Sequence, residues 1–318
     1  MVNYAHLSDT QFLVAFALGF IPIILSLLGS FTILYLLYKS GVRKRFYHRL
    51  ICGLSVMDII MTTAALFQPF LTRSDIGLRF AIGNATSCEW TAFFFHFFLG
   101  AAIYNAALSI YYLLLIRYRM TEETAARYME PWVHIAAVGI PSVLGSVALA
   151  KDYFNPGLVL SGVCEMTAFP ADCVLRDDVE CERGESMGTT LAIHLFFYVG
   201  SAITGFVATF MVYWTVRAQA QQTVKYSFTG ELSEAQRRRV RAVGTQAILY
   251  ACAFFNSFAI CVALVSATFA VFVPEIKSGE GLEEKSGVFP LTILLFFFFL
   301  IQGCTYQAAC KMLPVSTE

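Results

Sequence analysis

The sequence predicts an all-α membrane protein: a seven-transmembrane-helix bundle with its N-terminus outside. Three observations carry this. Apolar residues make up 58% of the 318 residues and charged residues 14%, against about 45–50% and about 25% in ordinary soluble domains. Mean hydropathy is +0.65, so lipid rather than water is the expected solvent. Apolar runs of the roughly 20 residues needed to cross a bilayer occur seven times, and every one of the 22 Lys and Arg residues falls outside them. The net charge of zero speaks against a nucleic-acid partner.

The runs lie at about 12–38, 51–71, 89–116, 131–150, 189–216, 242–270 and 288–310. Hydrocarbon offers the backbone no hydrogen bonds, so each must be a helix. The first run is too long for a cleavable signal peptide and follows no basic cluster, so it is expected to act as its own insertion signal. The second carries Asp58, the one acid well inside a span. The third opens beside Cys88, is crowded with Phe93, Phe94, Phe95, Phe97 and Phe98, and ends at Arg117. The fourth holds Pro141, the mid-span proline at which a helix could break. The fifth carries His194 near its start. The sixth is preceded by Ser233-Glu234-Ala235-Gln236, which reads as a capping box; helix six should begin near 234 and carry Arg237, Arg238, Arg239 and Arg241 beyond the membrane. The seventh ends at Lys311, giving one domain over 1–312 and a short tail over 313–318.

Orientation follows from the basic loops. The side of the 39–50 loop holds 15 Lys and Arg residues and the other side 7, which makes the first side cytosolic. The sequon Asn84-Ala85-Thr86 then falls outside, where glycosylation occurs. Cys88, Cys164, Cys173 and Cys181 also fall outside, where disulfides persist. Four cysteines allow three pairings. One bond is expected to tie helix three to the 151–188 loop, with the remaining pair closing that loop on itself. The same loop carries eight acids against three bases: either a solvated face or a lure for a cationic ligand.

Several motifs resemble those of the rhodopsin-like G-protein-coupled receptors. Gly29-Ser30 stands where that family has Gly-Asn, and Leu54-Ser55-Val56-Met57-Asp58 is similar to its Leu-Ala-x-x-Asp, 28 residues on from Ser30. Ile116-Arg117-Tyr118 occupies the place of Asp-Arg-Tyr. Asn105-Ala106-Ala107-Leu108-Ser109-Ile110-Tyr111-Tyr112 and Gln302-Gly303 look like the receptor-like proteins of diatoms and other protists. The sequence departs from the family in five places, one of them a helix three longer than usual between Cys88 and Arg117. No acid precedes Arg117, helix six reads Ala253-Phe254-Phe255-Asn256, helix seven reads Gly303-Cys304-Thr305-Tyr306, and helix five has no proline. The family's activation switch therefore does not carry over, although its frame does.

The resemblance implies a cell-surface receptor, multi-pass in the plasma membrane, that couples an unknown extracellular ligand to a heterotrimeric G-protein. His96 and His194, with Phe93 and Phe97, would line the ligand site at the outer end. Asp58, Ser109 and Gln302 lie at one depth and would form a polar switch or sodium site, or else a hydrogen-bonded packing node. Arg117, Tyr118, Arg237, Arg238 and Arg239 would meet the G-protein; otherwise the arginines enforce topology and bind anionic lipid. No lysine lies within the seventh span, so no retinal Schiff base and no cofactor is expected. No enzyme is expected either, because His134 lies at the opposite end from His96 and His194 and no metal cluster forms at one depth. The competing reading is a seven-helix transporter or channel, or a non-signalling membrane scaffold.

Overall fold

A computed structural model describes residues 9–40, 45–157, 163–170, 173, 179–226 and 234. The runs at 242–270 and 288–310, the Ser233 capping box, Arg237, Arg238, Arg239 and Gln302 lie outside the described residues. Within them are six α-helices: α1 Asp9–Ser40, α2 Phe46–Leu71, α3 Ala85–Phe95, α4 Phe98–Ile116, α5 Glu122–Ala150 and α6 Gly188–Tyr226. Together they make five segments long and apolar enough to cross a membrane, with α3 and α4 forming one of them.

The predicted third span is a single apolar run, yet its helix tightens at His96–Phe97. There Phe97 N donates to Phe94 O and Leu99 N to His96 O. These are i to i−3 bonds, characteristic of a short 3₁₀ turn. Residues 85–88, expected to precede the membrane helix, are already helical. Asn84 caps them, its Oδ1 accepting from Ser87 N at 2.9 Å while Ser87 Oγ accepts from Asn84 N at 2.8 Å. That reciprocal pair satisfies two otherwise orphan donors.

The sequence reading placed 117–130 in a loop; the structure makes 122–130 the first turns of α5. Thr121 caps the helix, and Glu122 and Glu123 stand in its first turn, where the helix dipole favours negative charge. The helix continues through Pro131 and Pro141 without interruption. Pro141 is fully buried, and prolines are tolerated in membrane helices when neighbours satisfy the freed carbonyls. Similarly, α6 runs ten residues past the predicted end of its span, to Tyr226.

The segments pack in a bundle: α1 on α2, α2 on α3 and α4, α4 on α5 and α6. The main core lies between α2, α4 and α5 and includes Phe46, Leu50, Leu54, Tyr104, Leu108 and Ala137. Close approach depends on small residues. A Cβ on Gly53 would strike the Tyr104 ring, and one on Gly100 the Ala137 carbonyl. The outward faces are apolar: Phe31, Trp132 and Phe196 are 55%, 69% and 72% exposed. In water that surface would drive association; in lipid it is the solvated face.

One element breaks the all-α expectation. The segment after α5 forms a two-stranded antiparallel hairpin, β1 Phe154–Pro156 and β2 Cys164–Met166, with Asn155 opposite Glu165. It caps one end of the bundle, packing Tyr153, Phe154 and Cys164 against Cys88, Ala92 and Ala148.

Candidate functional site

The hairpin is held by several independent ties. Cys88 of α3 is bonded to Cys164, and Cys173 to Cys181, one of the three pairings the sequence permitted. From α2, Gln68 Nε2 donates to Cys164 O at 2.7 Å, and Thr72 Oγ1 lies 3.3 Å from Cys164 Sγ. Arg183 donates to Glu89 of α3 and, at 2.8 Å, to Asp152. Burial alone would lower the pKa of Arg183, but the Glu89 and Asp152 carboxylates outweigh it and raise the net value. Arg73 stacks over Phe169 at 4.2 Å and bonds Asp75, which holds that carboxyl below its usual range. The lid is thus pinned to α2 and α3 at both its strands and its return segment.

Beneath it, His96 Nε2 and His194 Nδ1 are 2.7 Å apart, and the two imidazole rings nearly overlap at 3.4 Å between centroids. Both residues are buried, at 7% and 4% exposure. The 3₁₀ turn presents His96 from α3, and α6 presents His194 from its second turn. Rings of Phe98, Phe154 and Tyr198 surround the pair: Phe154 meets His96 at 5.5 Å, Phe98 meets His194 at 5.9 Å, and Tyr198 meets Phe98 at 5.2 Å. Because Phe154 belongs to β1, the lid rests directly on the histidines. His194 Nε2 is buried with no hydrogen-bond partner. A buried polar atom without a partner costs about 1–3 kcal/mol.

The sequence grouped Phe93 and Phe97 with these histidines. In the structure those two rings pack on one another at 5.8 Å, and Phe93 lies against Gly145 of α5, where a Cβ would crowd it. The rings that meet the histidines are instead those of Phe98 and Phe154. Phe154 was missed because only the fold of the lid brings it to helix three.

Asp58 is buried, and among the described residues the hydrogen bonds to its carboxylate come from α1: Ser26 Oγ at 2.9 Å and Ser30 Oγ at 2.5 Å, each to Oδ2. Ser109 lies elsewhere, accepting from Thr209 Oγ1 of α6 at 3.3 Å and donating to Asn105 O. The equal depth read from the sequence therefore joins Asp58 to the first span, through the Ser30 of its Gly-Ser motif, and joins Ser109 to the fifth.

At the far end, Arg117 Nη1 donates to Thr215 Oγ1 of α6 at 3.3 Å. With no acid before it, the arginine links two spans through a hydroxyl. Tyr118 is 60% exposed. Two neighbouring ties were invisible while 122–130 read as loop. Arg49 of α2 forms a two-pronged pair with Glu130 of α5, and Glu122 accepts from Phe46 N at 2.8 Å. Tyr104 OH and His134 Nδ1, 2.7 Å apart, add a third. Asn84 is exposed, and its Nδ2 takes no part in the cap. Among the described residues no group of three His, Cys, Asp or Glu side chains converges as a metal site.

The described helices thus form a membrane-type bundle whose third span is tied by a disulfide to the hairpin. Among the solved structures it resembles is that of squid rhodopsin, at 15% identity and a TM-score of 0.59, over 92% of this chain and 76% of that one. At that identity the likeness establishes the fold. No protein-family model matches the sequence, and no curated protein matches it.

Proposed function

We propose that the chain is a cell-surface receptor that couples a ligand at the lid end to a heterotrimeric G-protein at the Arg117 end. The single observation that supports this most is the rhodopsin fold over nearly the whole chain. Seven spans, with 242–270 and 288–310 completing the bundle, would put the lid outside and the basic loops in the cytosol. The two disulfides fit that orientation, since an oxidising compartment preserves them.

In this reading the ligand engages the His96–His194 pair through His194 Nε2. Both histidines reach across from different segments, so a ligand that prefers one spacing biases the third span against the fifth. A ligand shifts an equilibrium only by its differential affinity for the two states. The Arg117–Thr215 contact joins the same two segments at the other end and would report that bias to the G-protein. Tyr118, Arg237, Arg238 and Arg239 complete the contact surface, and Asp58 with Ser26 and Ser30 keeps α1 registered on α2. Asn84 carries the glycan.

Co-purification of the detergent-solubilised chain with nucleotide-free heterotrimers tests the proposal. The wild type should retain at least one G-protein subtype, while Arg117→Ala and charge reversal at 237–239 should lose it. Retention unaffected by either change, or no retention of any subtype, would point to the transporter or scaffold reading.

A further inference from the structure

The third and fifth spans keep one register along their contact. At the lid end His96 meets His194, and at the basic end Arg117 meets Thr215, partners 98 residues apart in both cases. α4 and α6 therefore run side by side in the same direction. Between the ends Thr209 Oγ1 donates to Ser109 Oγ at 3.3 Å, across a separation of 100. The side of α6 that faces α4 is small. Ala202 and Ala208 are buried, and a Cβ on Gly205 would meet Ala106 Cα and Ser109 Oγ at 3.7 and 3.8 Å. Small residues let membrane helices approach closely.

Asn105 breaks the pattern. It stands one turn above Ser109, whose Oγ donates to its main-chain carbonyl. The spacing of the other contacts sets it level with Gly205, which has no side chain to offer. Both Oδ1 and Nδ2 of Asn105 are buried without a hydrogen-bond partner. Each such atom costs free energy, and hydrocarbon offers nothing in compensation.

A second register would supply the partner. Stepping α6 by four residues towards the lid, about 6 Å at 1.5 Å per residue, sets Thr209 level with Asn105. The same step brings Tyr198 to His96, Tyr213 to Ser109 and Gln219 to Arg117. Each is a hydroxyl or an amide able to bond the residue it would face. Other steps give no such match. Three residues would bring Phe197, Ala208, Val212 and Ala218 to those four places, and five would bring Val199, Phe210, Trp214 and Ala220.

We propose that α4 and α6 form a seam with two registers one turn apart, and that Asn105 is the residue that favours the second. Interlocked side chains make such an interface bistable rather than continuously deformable, as in other one-turn ratchets. α6 carries no internal proline between Gly188 and Tyr226, so it moves as one rod. The lid opposes the step, because Tyr153 OH donates to Ser186 O at 3.1 Å just before the helix begins. The step releases the His96–His194 and Arg117–Thr215 contacts together. It involves only the described spans and holds with or without a G-protein.

Disulfide trapping on the full chain in lipid nanodiscs tests this, in a background with Cys52, Cys252, Cys261, Cys304 and Cys310 replaced by serine. Ser109→Cys with Thr209→Cys reports the register seen. Ser109→Cys with Tyr213→Cys reports the second, since a disulfide needs Cα atoms within about 7 Å. Under mild oxidant both bonds should form. Asn105→Leu should slow the 109–213 bond about tenfold or more, as loss of one buried hydrogen bond implies, and leave the 109–209 bond intact. Gly205→Ser, which offers Asn105 a hydroxyl in the register seen, should slow it as well. A 109–213 bond that never forms while 109–209 does would overturn the proposal. So would one that forms as fast with Asn105→Leu or with Gly205→Ser as without them. Peptide mapping of the Cys88–Cys164 bond in each variant separates a change of register from loss of the fold.

Discussion

At Asp58, two hydroxyls converge on one carboxylate oxygen. Asp58→Asn retains an oxygen for both and should keep the fold. Asp58→Ala strands Ser26 and Ser30 in the bundle and should cost on the order of 1–3 kcal/mol, seen as a lower melting temperature. If the alanine variant melts with the wild type, these bonds do not hold α1 to α2. Glu165 makes a prediction of opposite kind. Burial pushes its carboxyl from an ordinary 4.5 up to about 7, so the folded protein holds this proton more tightly than the unfolded chain does. Its contribution to stability is greatest below the ordinary value, falls as pH rises towards 7, and is level above. Glu165→Gln should remove that slope and melt higher than the wild type above neutrality. Unchanged pH profiles would mean that the carboxyl is solvated. The sequence could single out Asp58 because a charge inside an apolar run is conspicuous. Glu165 was one of eight acids in a loop, and only the register with Asn155 sets it apart.

Among elements, glycines decide how closely helices meet. A Cβ at Gly100 would press on the backbone carbonyl of Ala137, which cannot rotate away. Gly100→Ala should therefore separate α4 from α5 and cost about 1–3 kcal/mol. Gly139, also on α5, has open space where its Cβ would stand. Gly139→Ala should be neutral or stabilising by up to about 1 kcal/mol through lower backbone entropy in the unfolded chain. Equal effects in melting experiments would contradict the packing described. In the lid, Arg183→Ala removes the tie to Glu89 and Asp152 but neither disulfide. Amide exchange should rise across 179–187 and stay slow in α3; no change would mean the disulfides alone fix the lid. The length of the apolar runs revealed these helices, since each must satisfy its backbone internally. It could not mark their ends: Thr121 with Glu122 and Glu123 starts α5 in a stretch too polar to read as a span. Nor could it reveal the hairpin, whose strands are three residues each, too short for an alternating pattern to show.

The whole molecule joins two ends through the third and fifth spans. His96 meets His194 near the lid, and Arg117 meets Thr215 at the basic end. The histidine pair could be anticipated from matching depths in two adjacent spans, whereas Asp58 and Ser109, also matched in depth, turn out to face different neighbours. Depth is a one-dimensional coordinate; rotation about each helix axis decides contact, and it is set by packing against segments far away in sequence. If the chain is a receptor, guanine-nucleotide exchange is the quantity that the two ends jointly control. The most direct measurement is therefore exchange on a panel of purified heterotrimers by the wild-type chain in nanodiscs, alongside Arg117→Ala and His194→Phe. Acceleration of exchange on at least one subtype by the wild type, lost in Arg117→Ala and altered in its ligand response in His194→Phe, is the predicted result. Exchange no faster than without the chain, across the panel and a ligand screen, would contradict it.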